Sequence, residues 1–167
     1  MGQTNHIQNM TVMKIIGISP GTRMLGYAGM SQRGLAVWGL KEFKREWSDK
    51  KLQKILSAIN QLIVEYQPTS LALKMPHPAR TSPALDALVR EINKLAKKHG
   101  ITVHSYTLED LEKGCNNKRE LIDSLAIKYP ELKWKHEKII KTIIKKQKSS
   151  FEKIFEAVAA IELTLVQ

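Results

Sequence analysis

The stretch that most constrains this chain is VMKIIGIS, residues 12 to 19, which is apolar at nearly every position around Gly17. A strand with one wet face alternates apolar and polar residues, whereas a strand covered on both faces does not. The run therefore predicts a strand in the middle of a sheet, with packed layers on either side. RMLGYAGMS and GLAVWGLKEF follow as two further strands, and the short connection Gln32-Arg33-Gly34 favours antiparallel hairpins. The first run stops at Ser19-Pro20-Gly21, a tight turn at a strand end. Many α/β proteins mount a catalytic carboxylate at such a turn; this chain carries the hydroxyl of Ser19.

From Ser48 the apolar residues change to helical spacing, with Leu52, Ile55, Leu56, Ile59, Leu62 and Ile63 on one side and an end near Gln67-Pro68. SLALKM reads as a short strand closed by Pro76 and Pro78. Ser82-Pro83 supplies an N-cap and a proline at the first helical position, for a helix running to Gly100. ITVHSY is the next strand. Thr107 with Asp110 resembles a capping box, and Asn117 with Glu120 marks a second helix start, ending before Pro130. KWKHEKIIKTIIKKQK predicts a basic helix whose apolar stripe includes Ile140, Ile143 and Ile144. A last helix, with Ser149 and Glu152 at its start, aligns Phe151, Ile154, Phe155, Val158 and Leu165, interrupted by Glu162. The sum is an α/β chain, β-β-β-α-β-α-β-α, with a mixed five-stranded sheet covered by helices on both faces, the order of the ribonuclease H-like fold.

With 167 residues and 43% hydrophobic content the chain fits one core, expected as a single domain over 13 to 167 after a loose leader, 1 to 12; Met13 is an alternative start. The formal net charge of +11 favours an anionic partner, nucleic acid ahead of an acidic membrane surface. The single Cys115 excludes a disulfide framework and a thiolate zinc site, and suits a reducing, cytoplasmic setting. His6, His77, His99, His104 and His136 have no metal-ligand spacing. No secretory signal and no bilayer-spanning apolar run is present, so no membrane partner is expected.

IIGISPGTRMLGY resembles the first motif of RuvC-type Holliday-junction resolvases, where a hydrophobic strand ends in Gly-Ile-Asp-Pro-Gly and continues through a small residue, a basic residue and Gly-Tyr. EYQPTSLALKMP is similar to the family's helix end and the strand carrying its second acid, and FEKIFEAVAAIEL to its final helix. The resemblance implies metal-assisted phosphodiester hydrolysis, in which carboxylates hold divalent ions that activate water and neutralise developing charge. It also implies a homodimer acting on a four-way DNA junction. Carried over position by position, the acid positions fall on Ser19, Lys74, Lys153 and Glu156, so three of four lack a carboxylate. A shift of one residue would pair Glu152 with Glu156, four apart on one helical face.

Serine is a weak neutral ligand, and an ammonium at Lys74 opposes a dication. No catalytic residue and no cofactor are therefore expected. Lys74 is expected to pair with Glu156 in the metal's place, the alternative being a Lys74 that points into solvent. For nucleic acid, Lys138, Lys141, Lys145 and Lys148 recur at helical steps and with Lys146 form a basic stripe; Arg23, Lys74 and Arg80 are further phosphate candidates near the mouth of the site. Trp134 is a candidate either for base stacking or for the core. The reading is an inactive resolvase homologue that binds branched or structured DNA. Two alternatives stay open: a nuclease using Mg or Mn through Glu152, Glu156 and Asp86, and an interaction or structural protein that keeps only the fold.

Overall fold

The computed structural model describes residues 14 to 144 and 151 to 167, without the side chains of 142 to 144. The proposed leader, Met13, Lys145, Lys146, Lys148 and Ser149 lie outside the described residues. Strands β1 (Ile15–Ser19), β2 (Met24–Ser31), β3 (Gly34–Glu42), β4 (Ser70–Lys74) and β5 (Thr102–Tyr106) form one sheet in the order β3-β2-β1-β4-β5. Ile15–Ser19 of the apolar run is thus the central strand, antiparallel to β2 and parallel to β4. The β2–β3 hairpin closes on Gly34, whose φ of 114° suits a residue without a Cβ.

The helices are α1 (Asp49–Tyr66), α2 (Pro83–Lys98), α3 (Leu108–Leu111), α4 (Lys118–Lys128), α5 (Lys133–Ile144) and α6 (Glu152–Leu165). The expected caps are in place. Ser82 accepts from the Leu85 N–H, Asn117 from the Glu120 N–H, and Thr107 and Asp110 bond reciprocally as a capping box.

Period-2 alternation divides the sheet between two cores. Ile16 and Ile18 of β1 and Leu71 and Leu73 of β4 pack with Ile55, Ile59, Leu88 and Ile92 of α1 and α2. Ile15 and Ala72 face the other way, onto α6 and the α4 and α5 layer. The same parity puts Gly17, Ser19 and Lys74 on the α6 side. Helix α6 lies against β1, β2 and β4 at backbone distance. A Cβ on Gly17 would come 2.3 Å from the Ala157 carbonyl oxygen, and one on Gly26 would come 2.5 Å from the Lys153 carbonyl.

Helix α6 is covered more completely than a one-sided stripe predicts. Every residue from Ile154 to Ile161 is buried, because the sheet lies on one side and α4 on the other, while Leu165 at the end is exposed. Glu162, the polar interruption, accepts from the Tyr129 hydroxyl and pairs with Lys128 at 2.6 Å, joining α6 to α4. Among the α5 residues whose side chains are described, Ile139 is fully buried and Ile140 partly covered, while Ile143 and Ile144 of the expected stripe lie outside them.

Candidate functional site

Parallel pairing brings the C-terminal ends of β1 and β4 to the same edge of the sheet, with Ile18 opposite Leu73. The next residues, Ser19 and Lys74, therefore emerge side by side beneath α6. Glu156 of α6 reaches down to both. Its Oε1 accepts from the Ser19 hydroxyl at 3.3 Å, and its Oε2 lies 2.8 Å from the Lys74 ammonium, an ion pair by distance without an aligned hydrogen bond. Ser19 is wholly buried and Glu156 is 3% exposed. The expected Lys74–Glu156 pair is thus present, and it ties the middle of the sheet to the last helix.

A second cation that the sequence reading passed over completes the group. Asn117 caps α4, which makes Lys118 the first helical residue, and its ammonium lies 3.5 Å from Glu156 Oε2 and 3.1 Å from Glu152 Oε2. Glu152 and Glu156 share a face as their spacing predicts, but a lysine bridges them. Burial pushes the Glu156 carboxyl up; the charges of Lys118, Lys74 and Lys153 outweigh this and hold it below its ordinary value of 4.5. Burial pushes Lys118 down, and Glu156 and Glu152 more than offset it, leaving the ammonium above its ordinary value of 10.5. Lys153 donates to the Pro20 carbonyl at 3.3 Å, holding α6 to the β1–β2 turn.

The other candidates are dispersed. Asp86 is an exposed residue in the first turn of α2 and accepts from the Thr81 hydroxyl, apart from the Glu152–Glu156 pair. Arg23 is exposed in the β1–β2 turn, and Arg80 is exposed in a single helical turn, Pro78–Arg80, after β4. Connectivity thus puts both at the sheet edge that carries Ser19 and Lys74. Lys138 and Lys141 are exposed on α5. Trp134 is 55% exposed rather than a core residue: it meets Phe151 edge-to-face at 6.1 Å, and the Lys135 ammonium stands 3.8 Å from its ring centre.

The residues present do not fit a divalent metal. Mg and Mn require several oxygen donors, preferably anionic. This corner offers one buried carboxylate and a neutral hydroxyl, with ammoniums within 3.5 Å of that carboxylate on two sides. Among the described residues, no group of three His, Cys, Asp or Glu side chains could hold a metal ion, and no helix is long and apolar enough to cross a membrane.

No family model and no curated protein matches the sequence. Solved structures do match. The chain is similar to T. thermophilus RuvC in complex with a Holliday junction substrate, at a TM-score of 0.63 and 13% identity over 92% of this chain and 96% of that one. It is also similar to a second Thermus thermophilus RuvC structure, at a TM-score of 0.61 and 14% identity over 87% and 89% of the two chains. At such identities the shared property is the fold: the chain has the mixed five-stranded sheet with helices on both faces of RuvC, a ribonuclease H-like fold.

Proposed function

We propose that this chain is a RuvC-like nucleic-acid-binding protein that holds branched or structured DNA, four-way junctions foremost, without cutting it. The observation that carries this reading is the pairing of Glu156 with Lys74 and Lys118 at the sheet edge where the RuvC resemblance puts metal-binding acids. Ammonium groups there oppose a dication, which argues against metal-assisted cleavage. The net charge of +11 supports DNA as the partner, and so do the exposed Arg23, Arg80, Lys138 and Lys141. The reading includes a homodimer, because a junction presents paired arms to two copies.

The test is binding of a labelled four-way junction, a duplex and a single strand over a series of salt concentrations, with strand integrity followed on denaturing gels in Mg or Mn. The reading expects junction preference, affinity that falls with salt by about 0.9 log units per log of salt for each phosphate contacted, and intact strands. Metal-dependent nicks that disappear in Glu152→Gln or Glu156→Gln would establish the nuclease alternative. Salt-insensitive or absent binding would establish the interaction-protein alternative.

A further inference from the structure

We infer that the chain carries a second anion site, separate from the Ser19–Glu156 corner, that takes a phosphate ester of nucleotide size. The site is a cleft of about 300 Å³ between the end of β3 and the start of α1, lined by Phe43, Lys44, Arg45, Lys50, Lys51 and Lys54, with Glu42 as the one acid in its wall. Five cations converge on it. Among the described residues none of the five forms an ion pair with a carboxylate.

Lys51 is the decisive residue. It is 5% exposed, and its ammonium donates to the Arg45 carbonyl, a neutral acceptor. That carbonyl fixes the ammonium at the cleft wall without cancelling its charge, which stays available to an anion in the cleft. Lys44, Arg45, Lys50 and Lys54 are exposed around it and add positive charge to the cleft. The cleft also adjoins the start of α1, where Ser48 accepts the Lys51 N–H and the helix presents its positive end.

The volume lies at the lower end for small-molecule sites, room for more than a bare phosphate. The half-buried ring of Phe43 gives the organic part an apolar wall. The Phe43 N–H donates to the Arg23 carbonyl at 2.8 Å and Glu42 pairs with Met24, so the cleft opens at the sheet end that carries the Ser19 turn. The same chemistry arrives from two sources, a free nucleotide or the phosphorylated end of a DNA strand. The inference does not depend on junction binding.

The full chain is titrated with pyrophosphate and with AMP at constant ionic strength, and melting temperature is followed. Saturable stabilisation is expected. Lys44→Glu with Lys54→Glu should weaken it about tenfold, while Lys97→Glu with Lys98→Glu, an equal charge change on exposed lysines at the end of α2, should leave it intact. Equal weakening by both pairs, or a response that chloride reproduces, overturns the inference. Amide NMR of the unaltered chain is a second readout: shifts centred on 42 to 54 support the site, and shifts centred elsewhere remove it. Oligonucleotides with 5′-phosphate or 5′-hydroxyl ends identify the source; a preference for the phosphorylated end assigns strand ends, and AMP binding without such a preference assigns free nucleotide. AMP binding in a chain that ignores junctions keeps this site and rejects the junction reading.

Discussion

Removing Lys74 and Lys118 together should cost far more stability than the sum of removing each. Glu156 is 3% exposed and touches both, at 2.8 and 3.5 Å. At an effective dielectric of 20, each pair is worth about 5 kcal/mol of gross attraction, most of which offsets the several kcal/mol spent on burying the carboxylate. Lys74→Met leaves Lys118 in place, and Lys118→Met leaves Lys74. Both side chains keep some solvent contact, 19% and 30%, so each single change should cost about 1 to 2 kcal/mol. The double change strips both flanking ammoniums from the carboxylate and should cost about 5 kcal/mol, with a coupling of about 2 kcal/mol. Urea denaturation with a constant slope measures all three, and adding Glu156→Leu to the double variant should restore much of the loss. Additive single and double changes, or no recovery with the leucine, would show that Glu156 does not depend on these lysines.

The pH dependence follows from the same group. A carboxyl whose folded value lies below its ordinary 4.5 stabilises the fold above that pH, and the contribution is lost as pH falls through the depressed value. The urea midpoint should therefore decline below about pH 4.5, and Glu156→Gln should flatten the decline; parallel curves for the two proteins would contradict this. Gly17→Ala should destabilise by about 3 kcal/mol in thermal unfolding, because its methyl meets first the Ala157 carbonyl, backbone that cannot turn away; a change near zero would mean that α6 can lift off β1. Ser19→Asp with Lys74→Glu should create Mn-dependent thermal stabilisation absent from the unaltered chain, and an unchanged melting temperature in Mn would weaken the positional match to the resolvase acids. Lys138→Glu with Lys141→Glu should lower junction affinity and reduce the salt slope by about 2; an unchanged slope would remove α5 from the DNA-facing surface.

The elements of this fold are legible because their signals are local. VMKIIGIS announces a strand covered on both sides by the absence of alternation, and Ser82, Thr107 and Asn117 mark helix starts by capping chemistry that acts within four residues. Ser19, Lys74 and Glu156 are found by a resemblance in motif order. Lys118 escapes because its role is wholly tertiary: nothing in NNKRE distinguishes a solvated lysine from one that α4 delivers to α6. The fuller burial of α6 has a related cause. Periodicity registers one packed side, but Ala157, Ala159 and Ala160 are buried as well, since small residues let the helix sit between two layers. In α5, Ile139, which the expected stripe did not name, takes the inward place beside the partly covered Ile140.

A helix fastened to a sheet by ammonium groups differs from one held by bound ions in how it answers its surroundings. The Lys74 and Lys118 side chains arrive with the polypeptide, so the ties of α6 to β4 and to α4 form as the chain folds. Acid, which discharges Glu156, releases both ties at once.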